Sequence, residues 1–173
     1  MAFTKKAYTS FNSLNPDHKN FQSQAVENFK KYFDFHQFSE RAFYDVKKTM
    51  THEELQEVQA LFKEVFFLNF SYKAKDLFNR MVKKPDYHVK AVKEKFTVVA
   101  ILGTQDGQTS SIDYYVAPAA GGRWGVIDLS VEGVLLSRNY RGAFNRIYRE
   151  QGLSGLKQKL SSKKDKLEQN YTE

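Results

Sequence analysis

The spacing of the apolar residues changes twice along this chain, and this change limits the folds that the chain can adopt. Before Pro85 the apolar side chains recur every three or four residues, which is typical of helices. Between Tyr87 and Val131 they alternate with polar side chains, as in half-buried strands. From Tyr140 onward the helical spacing returns. The pattern predicts an α+β fold, with helices before and after an antiparallel sheet.

Three helices are predicted before Pro85. Apolar faces mark the first two. They comprise Phe21, Ala25, Phe29, Tyr32 and Phe33, and then Phe35, Phe38, Ala42 and Phe43. The third helix begins at Thr51, where Thr51-His52-Glu53-Glu54 has the pattern of a capping box. Its apolar stripe is wide, so we expect other elements to cover it on more than one side.

About four strands are predicted, and they form a curved antiparallel meander. They run from Tyr87 to Ala91, Phe96 to Leu102, Ser111 to Val116 and Arg123 to Val131. Asp106-Gly107 is a hairpin signal between the second and the third. Strict alternation divides the last strand into two faces. These faces carry Trp124 and Val126 on one side, and Ile127, Leu129 and Val131 on the other.

The length of 173 residues predicts a single domain over residues 1–173. Residues 1–17 are expected to form a loosely ordered arm, and residues 161–173 a Lys-rich tail. Gly152 is expected to break the C-terminal helical region. No apolar run is long enough for a membrane span, and the first residues lack an apolar h-region. We therefore expect a soluble chain that has lost its signal peptide if it is exported.

The chain is rich in aromatic residues, with 15 Phe and 10 Tyr against one Trp. These rings can fill a core, or they can line a hydrophobic cavity. A curved sheet covered by helices allows both arrangements. The second would leave an apolar pocket between the sheet and the helices.

The net charge of +7 favours an acidic partner, whether nucleic acid, anionic lipid or protein. Nucleic-acid binding is not predicted, because the last strand carries one cation and no reading element accompanies the C-terminal lysines. The chain has no Cys, which excludes disulfides, thiolate metal sites and a cysteine nucleophile.

Catalytic patterns are sparse in this sequence. The four His residues lack the spacing of metal ligands, and Gly-x-Ser-x-Gly is absent. Asp113 and Asp128 lie on neighbouring predicted strands and could act as an acid and a base across a cleft. Asp128 also precedes the turn into a helix, where it could equally bind backbone amides.

A long run around the last strand resembles the signature of the MlaC (toluene-tolerance) family. It reads WGVIDLSVEGVLLSRNYRGAF from Trp124 to Phe144, and Gly152, Leu153, Leu156 and Leu160 follow it. In that family a W-x-V-x-D strand enters an E-G-V-S-L turn, and an N-Y-R-x-x-F helix leads to G-x-x-x-L. A looser resemblance extends upstream to about Phe21. Two residues depart from the family pattern, because Leu135 replaces a usual Ser and Lys47 lies near a common aromatic position.

The resemblance implies a periplasmic carrier without catalytic activity or a cofactor, whose cargo is a phospholipid. The acyl chains would lie in the pocket between sheet and helices, and the head group would lie near solvent. The implied partners are an MCE-domain protein of an inner-membrane ABC transporter and an outer-membrane lipoprotein complex. Such a system maintains lipid asymmetry of the outer membrane.

The expected lipid-binding residues are apolar side chains of the Thr51 helix, the strands and the signature. They are Phe62, Val65, Phe66, Val98, Ala100, Ile112, Tyr114, Val116, Val126, Leu129, Val131, Val134 and Leu136. The remaining signature residues are expected to hold the fold together. They are Trp124, Asp128, Glu132, Gly133, Asn139, Tyr140, Arg141 and Phe144. Arg141 is expected to pair with Glu132 or Asp128.

Two alternatives remain from the sequence. One is an enzyme with a cone-shaped pocket, of the cystatin-like or nuclear-transport-factor-like kind, which uses Asp113 or Asp128 on a small apolar substrate. The other is a basic interaction module with a filled core. A carrier should lack convergent polar catalytic groups at the bottom of its cavity.

Overall fold

The computed structural model of the chain describes residues 2–79, 86–93, 96–105, 108–119, 122–131 and 133–172. Its helices are α1 (Ala2–Asn12), α2 (Phe21–Tyr32), α3 (Phe35–Ala42), α4 (His52–Asn79) and α5 (Leu136–Thr172), with a 3-10 turn at Val46–Thr49. Its strands are β1 (Asp86–Val92), β2 (Thr97–Gln105), β3 (Gln108–Pro118), β4 (Trp124–Val131) and β5 (Val134–Leu135). The order of the elements confirms the predicted α+β fold.

The start of α4 is the predicted capping box. The amide of Glu54 donates to Thr51 Oγ1 at 3.2 Å, and the amide of Thr51 donates to Glu54 Oε2 at 2.8 Å. The two bonds satisfy amides that a helix terminus would otherwise leave unpaired. The capping residues therefore define where this 28-residue helix begins.

Both ends of the chain are helical where the sequence indicated little structure. The prediction of a loosely ordered arm over residues 1–17 is wrong for α1, because Tyr8 and Phe11 are buried and the Phe11 ring contacts Phe70 of α4. The predicted tail belongs to α5, in which Leu167 is buried and Lys164 pairs with Glu64 at 2.7 Å. In both cases burial against α4 provides the order that local composition does not indicate.

The sheet is antiparallel throughout, in the order β1-β2-β3-β4-β5. The predicted four strands are present, and β5 adds a fifth strand of two residues through the pair Val131 and Val134. Gly133 has a φ of 81° in the turn between them, a conformation that glycine adopts at little cost. Pro85 and the predicted Asp106-Gly107 hairpin lie outside the described residues.

A β-bulge in β4 changes the predicted faces of that strand. Tyr115 pairs with Asp128 and Val116 pairs with Val126, so Ile127 is an extra residue between them. Leu129 and Val131 therefore lie on the same face as Val126, and not on the opposite face as strict alternation predicted. We call this the inner face, because Tyr114 and Leu129 on it pack against aromatic residues of the helices.

The helices lie over the inner face of the sheet. The amide of Asp34 donates to the Val126 carbonyl at 2.8 Å, which joins the start of α3 to the edge of β4. Helix α4 has its main backbone neighbours in α2 and α5. Gly152, with a φ of 64°, breaks α5 as predicted. Within the described residues, no helix combines the length and the apolarity that a membrane crossing requires.

Candidate functional site

A cluster of aromatic rings occupies the space between the inner face and the helices. The rings of Phe62 and Tyr140 are 4.8 Å apart between centroids, and those of Phe33 and Phe66 are 5.4 Å apart. We call this group the aromatic cluster. It comprises Phe29, Phe33, Phe35, Phe38, Phe62, Phe66, Phe67, Tyr140 and Phe144. Its contacts are ring against ring, which provide large apolar area without directional hydrogen bonds.

Seven of the predicted lipid-binding residues meet at the aromatic cluster. Four are buried and three are partly buried. The buried ones are Phe62, Val65, Phe66 and Val126, and the partly buried ones are Tyr114, Leu129 and Leu136. They come from α4, β3, β4 and the start of α5, so the fold brings together elements that are far apart in sequence. Their role in lipid contact stays a prediction.

The placement of Val98 and Ala100 does not agree with a pocket between sheet and helices. Val99 pairs with Tyr114 of the inner face, so its neighbours Val98 and Ala100 lie on the outer face. The prediction is wrong for these two by one residue. Val99 and Ile101 occupy the inner face instead. In a strand that is apolar on both faces, the sequence carries no alternation from which the inner face could be read.

The remaining four predicted residues lie at the border of the cluster. Ile112 and Val116 share the inner face with Tyr114, and Val116 is buried. Val131 and Val134 pair across the β4–β5 turn and are 55% and 51% exposed. These two exposed valines mark an apolar edge where the inner face reaches solvent.

Two clefts lie elsewhere on the described surface. One of about 620 Å³ separates α2, α4 and the end of α5, and charged side chains such as Lys30, Glu64 and Lys164 line it. The other, of about 780 Å³, lies beside α3 and the start of α4 and is lined by His36, His52 and other polar residues. None of the predicted lipid-binding residues lines either cleft, so the inner face remains the candidate site.

Asp128 is buried at the junction of β4 and α5, where its carboxylate accepts three hydrogen bonds. The donors are the amide of Leu129 at 2.9 Å, the amide of Ser137 at 3.1 Å and the hydroxyl of Ser137. Burial raises the pKa of Asp128, while the bonds from Ser137 act in the opposite direction. Asp128 thus binds backbone amides, as one of the two interpretations of the sequence expected.

Asp128→Ala is expected to lower the free energy of unfolding by about 2–4 kcal/mol, because it leaves the buried amide and hydroxyl of Ser137 unpaired. Asp128→Asn is the matched control, since its carbonyl can accept both amides and its NH₂ group can donate to Ser137 Oγ. We expect this variant to stay within about 1 kcal/mol of wild type in urea unfolding. If both variants lost the same free energy of unfolding, the charge of Asp128 and not its hydrogen bonds would stabilise the fold.

Asp113 lies on the outer face as well. Its two carboxylate oxygens accept from Lys90 Nζ at 2.9 and 3.1 Å. Asp113 pairs with Ser130 and Asp128 with Tyr115, both on the face opposite to Tyr114. Neither of the two carboxylates that the enzyme alternative needs lies on the inner face. Among the described residues, no group of three or more His, Asp or Glu could hold a metal ion.

Arg141 pairs with a residue that the sequence did not suggest. Its Nε and a terminal nitrogen each donate to the Asp45 carboxylate at 2.6 Å. Asn145 Nδ2 also donates to Asp45, and the Arg141 guanidinium lies 4.7 Å from the centre of the Tyr44 ring. The expected pairing with Asp128 is wrong, because Asp128 binds the start of α5. Glu132 lies outside the described residues.

The Arg141 guanidinium lowers the pKa of Asp45 to about 2 through its hydrogen bonds, with a further contribution from Asn145. Arg141→Gln is expected to return this pKa toward its ordinary value of 3.8, measured by NMR titration of the carboxyl carbon. The wild-type pair stabilises the fold above pH 4, and this contribution is lost as the pH falls from about 4 to about 2. An unchanged Asp45 titration in the variant would contradict the assigned pairing.

The other signature residues differ in how they serve the fold. Tyr140 and Phe144 belong to the aromatic cluster, and burial raises the pKa of Tyr140. Trp124 is 51% exposed at the start of β4 and Asn139 is exposed on α5, and their role in holding the fold together stays a prediction.

Sequence reasoning did not assign several residues of the interior to this site. Phe29 joins the cluster from α2, Phe33 from the link between α2 and α3, and Phe35 and Phe38 from α3. Their three-four spacing was a signal for buried helical faces, but spacing does not identify the element that a face contacts. Tyr8 of α1 and Tyr87 of β1 also meet, with ring centroids 6.0 Å apart.

Comparisons with known proteins identify a family and a shared fold. The family model described as MlaC protein matches residues 4–162. A solved structure of a phospholipid-binding protein from Ralstonia solanacearum, in complex with a phospholipid, has a TM-score of 0.77 to this chain at 24% sequence identity. The match covers 96% of this chain and 97% of that one, so the two proteins share their fold. No curated protein sequence gives a significant match.

Proposed function

This chain belongs to the MlaC family, and from that premise we propose that it is a phospholipid carrier of the periplasm. The acyl chains of the lipid lie between the inner face of the sheet and helix α4. The protein binds and releases its cargo without changing it chemically. Phe62, Val65, Phe66, Tyr114, Val126, Leu129 and Leu136 are the residues that we place closest to the chains.

The aromatic cluster is the observation that carries this proposal. Acyl chains in water are unfavourable by about 0.8 kcal/mol for each CH₂ group, so a carrier must offer them a large apolar surface. The cluster and the inner face provide such a surface, and the buried residues of the cluster are all apolar. The R. solanacearum protein, which has the same fold, was crystallised with a phospholipid.

The junction between sheet and helices offers partly exposed apolar side chains to a lipid. Tyr114, Leu129, Leu136 and Tyr140 are only partly buried, whereas Phe66, which contacts the Tyr140 ring, is buried. Rings held by stacking contacts can rearrange around acyl chains at lower cost than hydrogen-bonded polar groups.

Uptake from membranes tests this function. Delipidated protein is incubated with vesicles of phosphatidylethanolamine and phosphatidylglycerol, separated by gel filtration, and extracted with organic solvent. We expect saturable, stoichiometric uptake of phospholipid. Protein that remains folded but lipid-free at all vesicle concentrations would contradict a carrier function.

We further propose that the carrier exchanges lipid with an MCE-domain protein of an inner-membrane ABC transporter and with an outer-membrane lipoprotein complex. A basic face of α5 supports docking to an acidic protein surface. Four of the seven arginines of the chain lie between Leu136 and Arg149, a span without Asp or Glu. Arg138, Arg146 and Arg149 are exposed, and none has an ion-pair partner within the part of the chain that the structure describes.

The position of Arg138 disagrees with helix electrostatics. Positive charge is unfavourable near a helix N-terminus, and Arg138 lies in the first turn of α5. An unfavourable charge that no contact within the protein offsets is typical of a functional site. Guanidinium groups also bind carboxylates through two parallel hydrogen bonds, which suits recognition of an acidic partner.

Arg146→Glu combined with Arg149→Glu is expected to slow lipid transfer to the membrane-embedded transporter several-fold at low salt, since reversed charges repel an acidic partner. Lipid retention should not change. Lys163→Glu with Lys166→Glu, also exposed but near the other end of α5, is the matched control. Equal slowing by both pairs would indicate a general effect of net charge, and would contradict docking through this face.

A further inference from the structure

Helix α1 carries two hydroxyl groups on its buried face. Thr4 and Tyr8 are one helical turn apart on the buried face of α1, and they are 1% and 7% exposed. The Tyr8 ring packs edge-on against Tyr87 of β1. Helix α1 therefore closes the interior on the side of β1.

Two tyrosines of the sheet point toward the same region. Tyr87 pairs with Ile101 and Tyr114 pairs with Val99, so both lie on the inner face. Burial raises the pKa of the Tyr114 phenol, and the neighbouring phenols of Tyr8 and Tyr87 raise it further. Tyr114 therefore lies on the same face of the sheet as Tyr87, whose ring contacts Tyr8.

The hydroxyl group of Thr4 provides a second, independent observation. Its hydroxyl oxygen is buried and has no hydrogen-bond partner among the described residues. A buried hydroxyl without a partner is unfavourable, and such a group in a binding protein indicates a place for a polar atom of a ligand. At the solvent side of the same region, Lys5 Nζ lies 5.3 Å from the centre of the Tyr87 ring.

We propose that Thr4, Tyr8, Tyr87 and Tyr114 form a polar subsite that binds the ester carbonyls at the glycerol end of a phospholipid. Lys5 at the rim of this subsite pairs with the phosphate. Ester carbonyls accept hydrogen bonds and do not donate them, so they match a set of hydroxyl donors. A few polar groups in an apolar pocket orient a ligand, and here they direct the glycerol end toward α1 and the acyl chains toward the aromatic cluster.

The inference rests on the proposed carrier function and assigns the chemical group that the carrier recognises. It distinguishes diester phospholipids from diether phospholipids of the same chain length and head group. The ether lipid keeps the tails and the phosphate but lacks the carbonyl acceptors. We expect wild type to bind the diester about three- to tenfold more tightly, which corresponds to one or two hydrogen bonds.

Tyr114→Phe removes one donor and little volume, and it should reduce the ratio of diester to diether affinity. Tyr115→Phe is the matched control, because Tyr115 is the next residue on the same strand and lies on the outer face. It should keep the wild-type preference. Equal binding of both lipids by wild type would overturn the inference, and failure to bind either lipid would instead overturn the carrier function.

The phosphate contact has its own test. Lys5→Gln should weaken binding of phosphatidylglycerol relative to diacylglycerol, while Lys6→Gln, which lies next to it and is also exposed, should not. If Lys5→Gln weakens both lipids equally, or neither of them, Lys5 does not pair with the phosphate. The comparison of diester with diether phospholipids tests the hydroxyl groups independently of this result.

Discussion

Phe62→Ala is expected to lower the free energy of unfolding by about 3–5 kcal/mol, the range typical of a large buried aromatic side chain. Phe62 is fully buried. Its ring contacts those of Phe35, Phe38, Phe43, Phe66, Tyr140 and Phe144. The substitution removes these contacts at once and leaves a cavity that only partial relaxation can close. Chemical denaturation monitored by circular dichroism measures the loss.

Tyr72→Ala on the same helix is the control for Phe62→Ala. Tyr72 is 49% exposed, so its truncation should change stability by no more than about 0.5 kcal/mol. If Phe62→Ala were as mild as this control, the aromatic cluster would not be the packed centre of the fold.

Leu129→Asp is expected to reduce phospholipid affinity at least about tenfold, because binding would bury a carboxylate against acyl chains. Leu129 lies on the inner face between the buried cluster and the apolar edge at Val131. It is partly exposed, so a carboxylate there can stay hydrated when no lipid is bound. Titration of delipidated protein with fluorescent phospholipid measures the affinity.

Val92→Asp introduces the same charge at a residue that is 72% exposed on β1, and it should retain wild-type affinity. Unfolding curves for both variants separate lost binding from lost folding. Unchanged affinity in folded Leu129→Asp protein would place the acyl chains somewhere other than the inner face.

Periodicity and capping chemistry predicted most of the fold. The capping box at Thr51 and the break at Gly152 are local signals, and both are present as expected. The bulge at Ile127 was not predictable, because it depends on the register between β3 and β4. Helix α1 was missed because its order comes from burial of Tyr8 and Phe11 against other elements.

For the candidate site, the types of side chain were more predictable than their positions in the fold. Apolar side chains of α4 and β4 meet where the resemblance to the family placed a pocket. The inner-face residues of β2 could not be chosen, since both faces of that strand are apolar. The contact of Arg141 with Asp45 joins residues 96 positions apart, and a single sequence contains no signal for such a pair. The hydroxyl groups around Tyr114 likewise converge from three separate elements.

We expect the aromatic interior to hold a phospholipid, and extraction of the purified protein tests this expectation most directly. Protein from cells is purified without detergent, extracted with organic solvent and analysed by mass spectrometry against an equal amount of an unrelated basic protein. We predict that diacyl phospholipid is recovered with this chain and not with the unrelated protein. Lipid-free protein from several hosts, which also takes up no phospholipid from vesicles, would contradict a phospholipid-binding interior.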